Sequence, residues 1–179
     1  MYSDLFPKHQ FQFIVLRHFG ALLLISTLMA CSSGSPIKEQ TKLDLQIEAS
    51  RHVNQDDRGR SAPVMVRVYE LKSAASFDDA DFISLQNNGK NVIGSDLLHM
   101  DEFILRPGNK QIIQRKTHPE TTSIAVLAGF RDLGKSVWRV IHTLDVAPDA
   151  AWYRAAIPAD KARLKIYLDE QTVSITELD

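Results

Sequence analysis

Leu43-Asp44-Leu45-Gln46-Ile47-Glu48-Ala49 is the stretch that decides the fold. Apolar side chains fall at every second position, with charged or amide side chains between them. A period of two places the two sets on opposite faces of an extended strand, one facing a core and one facing water. The same pattern recurs further along the chain. Val64, Val66 and Val68 alternate with Met65, Arg67 and Tyr69, and Leu164, Ile166 and Leu168 alternate with Arg163, Lys165 and Tyr167. Residues 124–130 are nearly all apolar and read as a central strand buried on both faces. Residues 137–144 pair with them across a turn at 131–136. Residues 100–105 run into a Pro107-Gly108 turn, 110–116 form a further extended piece, and Val173 and Ile175 mark a last strand. Seven or eight short strands predict an all-β chain folded as a two-sheet β-sandwich.

One segment breaks the pattern. Ser76 stands where a helix N-cap is expected, with Asp79 three residues later, and Phe77, Phe82, Ile83 and Leu85 supply an apolar side. Asn87-Asn88-Gly89 is the expected end. Asp78, Asp79 and Asp81 suit the positive N-terminus of such a helix better than they suit a metal site.

Composition narrows the function. The chain has 179 residues, 44% hydrophobic and 24% charged, with a formal net charge of −1. That describes a globular chain and argues against a dedicated nucleic-acid binder, which needs clustered Lys and Arg. The single cysteine, Cys31, excludes an intramolecular disulfide framework and a multi-cysteine metal cluster.

The position of Cys31 is informative. Lys8 and Arg17 precede an uncharged run from Phe19 to Ala30. Twelve residues are too few to span a bilayer, which takes about 20, so the run reads as a secretory signal. A lone cysteine by itself is as well read as a small core hydrophobe. Here a basic flank, the run length, a small residue and a polar tail coincide. Leu28-Met29-Ala30-Cys31 resembles the lipobox of bacterial lipoproteins. The resemblance implies cleavage before Cys31 and acyl chains and diacylglycerol on it. Ser32, in place of an inner-membrane-retaining Asp, implies delivery to the outer membrane. The expected organisation is a signal peptide at 1–30, a lipidated cysteine and tether at 31–41, and a β-sandwich domain at 42–179.

No enzyme motif is present. His52, His99, His118 and His142 are scattered, with no His-Glu-x-x-His, no Gly-x-Ser-x-Gly and no phosphate-cradling glycine loop. Asn54 to Gly59 half matches a calcium loop but places Arg58 at a ligand position. Trp138 reads as core, and Trp152-Tyr153 as a seal at the sandwich end. The segment between the first two strands is too long for a hairpin. It carries Arg51, Arg58 and Arg60 against Asp56 and Asp57, the chemistry of a protein-docking loop or of a self-neutralising solvated one.

Val53-Asn54-Gln55-Asp56-Asp57-Arg58-Gly59-Arg60 leads into Pro63-Val64-Met65-Val66-Arg67-Val68-Tyr69-Glu70-Leu71-Lys72. Then come Ala80-Asp81-Phe82, Asp96-Leu97-Leu98, Pro107-Gly108, Ala128-Gly129-Phe130-Arg131-Asp132 and Trp138-Arg139. This series is similar to the TssJ (SciN-like) outer-membrane lipoproteins of the bacterial type VI secretion system. The resemblance implies a transthyretin-like sandwich with one short helical insertion, no enzymatic activity and no cofactor or metal. It also implies a partner, the periplasmic C-terminal region of TssM, with TssL in the wider complex. The family's docking loop maps onto residues 51–61, with Asn54, Gln55, Asp56, Asp57, Arg58, Gly59 and Arg60 as the expected partner-binding residues. Whether Arg131-Asp132 lies beside it depends on strand order. The other readings are a periplasmic lipoprotein that binds a small ligand or another assembly, and a transthyretin-like hydrolase, whose Tyr-Arg-Gly-Ser ending is missing here.

Overall fold

A computed structural model describes residues 38–150 and 160–178. Cys31, the segments before it and Trp152-Tyr153 lie outside the described residues. Eight strands form two four-stranded sheets. The first sheet has β4 (Lys110–Lys116), β1 (Lys42–Ala49), β7 (Lys161–Leu168) and β8 (Val173–Glu177), in that order. Within it β1 and β7 run parallel and the other pairs antiparallel. The second sheet has β3 (Leu97–Leu105), β2 (Val64–Leu71), β5 (Ser123–Gly129) and β6 (Arg139–Thr143), all antiparallel. Strands β1 and β2 therefore belong to different sheets, which is why the segment between them exceeds a hairpin.

The alternation in each strand explains the packing. Leu43, Leu45 and Ile47 of β1 and Leu164, Ile166 and Leu168 of β7 face Val64, Val66, Val68, Ile124 and Val126 across the sandwich. Full burial of each such side chain contributes about 1.5–3 kcal/mol. The other face of β5, Ala125 and Leu127, joins Tyr69 and Leu71 in a second core. That core is closed by the helical insertion, so β5 is buried on both sides.

The insertion consists of α1 (Ala75–Asp79) and α2 (Phe82–Ile93). Ser76 does not cap it. The N-cap of α1 is Ala74, two residues earlier, and it makes no side-chain cap bond. Asp81 caps α2, its carboxylate accepting from Ser84 N at 2.9 Å and Ser84 Oγ at 2.6 Å. These bonds from Ser84 hold the Asp81 carboxyl below the usual range. The expected stop at Asn87-Asn88-Gly89 is a kink instead. Asn88 leaves helical geometry, yet the helix continues to Ile93 and ends at Gly94, with φ +61°. Two arginines of the underlying sheet bind the insertion. Arg67 donates to the carbonyls of Leu85 and Gln86, both at 2.9 Å, next to the kink. Arg139 donates to Ala80 O at 2.9 Å and lies over Trp138. Trp138 itself is half-buried, packs against both cores and meets Phe82 edge-on.

Among the described residues one charged side chain is buried. Glu70 on β2 is 1% exposed and accepts from Arg115 Nε at 2.7 Å, His118 N at 3.1 Å and Thr121 Oγ1 at 3.1 Å. Arg115 also lies 2.7 Å from Asp101. The network ties β2 and β3 of one sheet to β4 of the other.

Candidate functional site

The loop after β1 is pinned before it projects. Val53 is fully buried and plugs the end of the inter-sheet core. Asn54 follows in a left-handed conformation, φ +53°, which asparagine tolerates better than most residues. Its side chain reaches two elements: Nδ2 donates to Pro63 O at 2.9 Å, and Oδ1 accepts from Arg131 N at 2.7 Å. Its backbone N–H donates to Glu170 O at 2.8 Å. One buried amide thus clasps three loops, those following β1, β5 and β7. The turn after β3 joins the same pole through Gly108, whose N–H lies 3.1 Å from the carbonyls of Ala49 and Ser50.

Beyond the clasp, Asp56 organises the projecting part. Its Oδ1 accepts from the backbone N–H groups of Arg58 at 3.0 Å and Arg60 at 2.9 Å. Its Oδ2 accepts from Arg60 Nε at 2.8 Å and lies 3.5 Å from Arg131 Nη1. The Asp56 backbone N–H donates to Arg60 O at 3.0 Å, and Gly59 supplies the φ of +71° that closes the turn. The Arg60 side chain, then its backbone amide, hold the Asp56 carboxyl down at about 2.

The seven loop residues therefore divide into two groups. Asn54, Asp56 and Gly59 build the loop; the Asp56 side chain is only 12% exposed. Gln55, Asp57, Arg58 and Arg60 are what the loop displays, with the Arg60 side chain 70% exposed even while it bonds Asp56. Gln55 contacts His52 Nδ1 at 3.2 Å. Arg131 and Asp132 do lie beside the loop, and with Glu170 and Gln171 they line a polar cleft of about 370 Å³ against Gln55, Asp56 and Asp57. Glu170 and Gln171 have no local sequence signal. Strand order brings them in.

The remaining candidates are dispersed. His99 pairs with Asp101 at 3.3 Å, His118 accepts from Glu120 N, and His142 lies on β6. Among the described residues no group of three His, Cys, Asp or Glu side chains is placed to hold a metal.

The described fold is a two-sheet sandwich that gathers braced polar loops at one pole. The family described as type VI secretion lipoprotein (VasD, EvfM, TssJ) matches residues 41–171. The chain belongs to that family of membrane-bound structural lipoproteins. Its fold is similar to the type VI lipoprotein TssJ1 from Pseudomonas aeruginosa, at 29% identity and TM-score 0.68, covering 79% of this chain and 98% of that one. It is similar to Serratia marcescens Lip, a membrane-bound component of the type VI secretion system, at 29% identity and TM-score 0.67, covering 79% and 99%. A chain in the structure of the TssM C-terminal domain from EAEC shares the fold, at 22% identity and TM-score 0.57, covering 78% and 100%. Comparison with curated proteins found no match.

Proposed function

We propose that the protein is an outer-membrane-anchored structural lipoprotein that docks the periplasmic C-terminal region of TssM, and so joins the type VI secretion membrane complex with TssL. On this reading residues 1–30 are a signal peptide and Cys31 carries the acyl chains and diacylglycerol, its only non-protein groups. The sandwich faces the periplasm and has no enzymatic role. The observation that carries the docking site is the loop held by Asp56, which presents Asp57, Arg58 and Arg60 to solvent. A loop prearranged by its own hydrogen bonds loses little entropy on binding, and Arg is enriched at interface cores. The polar cleft beside it suits side chains of a partner protein better than a buried small molecule, which favours enclosed apolar pockets.

The test is a pull-down of residues 32–179 with the cognate TssM periplasmic fragment. Both apolar cores lie between Leu43 and Val173, so this segment holds all the packing the fold needs. Capture is expected. Replacing residues 54–60 by a Gly-Ser linker weakens it but also removes the Asn54 clasp. The sharper variant is Asp57→Lys with Arg58→Glu, which alters only displayed groups. Unchanged affinity moves the site elsewhere, and no capture by TssM overturns the function.

A further inference from the structure

Among the described residues no element covers the outer face of the first sheet, which is strongly basic. Strand register puts Lys116, Lys42 and Lys161 side by side across β4, β1 and β7. Among the described residues Arg163, Lys165 and Lys110 share that face with two acids, Asp44 and Glu48, giving it a formal charge of +4. The whole chain carries −1, so the positive charge is segregated here. Like charges directly opposite one another in a sheet are destabilising, and this row has three.

The two acids are already engaged. Asp44 lies 3.4 Å from Lys161 and accepts from Gln114, and Glu48 lies 3.2 Å from Lys110 and 3.5 Å from Lys165. Asp160 and Glu177 share a cleft with Lys161 at the rim. Lys42 and Lys116 have no acidic partner among the described residues. Ile112 stands 61% exposed midway along the edge strand β4, and Tyr167 lies under the Lys165 ammonium at 5.6 Å.

We infer that this face rests against an anionic phospholipid surface. Charge complementarity selects the occupant, and an exposed isoleucine and a tyrosine beside lysines suit the headgroup boundary. The place where the chain enters supports it. Lys42 opens β1 eleven residues after Cys31, a span of at most about 40 Å. An anchor that close makes even weak attraction effectively intramolecular. The docking loop leaves the opposite end of β1, about 23 Å along the strand from the Lys42 row. The inference rests on the lipid-anchor reading.

The experiment separates the two by removing the lipid. Residues 31–179 carrying Cys31→Ser are sedimented with vesicles of phosphatidylcholine alone, or of phosphatidylcholine with phosphatidylglycerol. Each basic residue held at such a surface adds roughly fivefold to binding. The expected result is salt-sensitive binding to the anionic vesicles alone. Lys42→Glu/Lys116→Glu/Lys161→Glu lowers it more than tenfold, and Lys42→Gln/Lys116→Gln/Lys161→Gln lowers it less, both with unchanged circular dichroism. Binding that ignores these changes overturns the inference, as does absence of binding to either vesicle. A failure of lipidation itself shows separately, as full-length protein that leaves the membrane fraction with Cys31 intact.

Discussion

The two sheets of the sandwich share one core but have opposite outer faces. Outside β2 and β5 the side chains are Tyr69, Leu127 and Ala125, and the helical insertion covers them. Outside β1 and β7 they are Lys42, Asp44, Gln46, Lys161, Arg163 and Lys165, and no element of the described fold covers them. The difference shows how a strand's second face reports its surroundings. Strict alternation in β1 and β7 means one polar face outside the core, and a continuous apolar run in β5 means cover on both. The cover is more than apolar contact. Arg67 and Arg139 reach up from the sheet to take helix carbonyls, so the insertion is bonded to β2 and β6 as well as packed on them.

The contrast is tested first by truncation on each face. Phe77→Ala removes a fully buried ring that meets Tyr69 and is expected to cost about 3–5 kcal/mol in urea unfolding. Gln46→Ala on the bare face stays within about 0.5 kcal/mol. Equal small effects would mean that the insertion is not part of the core. A smaller change is expected from Arg67→Met. It leaves the Leu85 and Gln86 carbonyls without their guanidinium donor, at a cost of about 1–3 kcal/mol. Hydrogen exchange should then accelerate in residues 82–93 before the strands. Uniform exchange across the molecule would show that the kink needs no clamp.

The smallest effect concerns the pole. Asp56 titrates at about 2 in the fold against an ordinary 3.8. The folded value is the lower one, so its contribution is complete above 3.8 and disappears as pH falls through about 2. The amide signals of Arg58 and Arg60, which bond its carboxylate, should stay still from neutral pH down to about 4 and move below that. Movement near pH 4 itself would mean that the loop is not organised by this carboxylate.

Much of this was legible from period-two patterns alone. Strands β1, β2, β5 and β7 follow directly from alternation or from an unbroken apolar run, because burial dictates those side chains. The helical caps were not. Ser76 with Asp79 satisfies a capping pattern, but Asp81 with Ser84 forms the bonds that are made. Asn87-Asn88-Gly89 has the chemistry of a helix end, but the helix runs on past it to Ile93, with Arg67 of β2 bonding the carbonyls just before the kink. At the pole, the charged loop was visible as a loop. Its division into builders and displayed groups was not, because Asn54 acts through Arg131 and Glu170, far away in sequence.

The central claim is that the displayed side chains of this loop meet the partner. Its most direct test is the affinity of residues 32–179 for the TssM periplasmic fragment, compared with the Asp57→Lys/Arg58→Glu variant. The account predicts a loss of about tenfold or more, in line with a charged interface anchor, with the melting temperature unchanged. Equal affinity in the two proteins would contradict it.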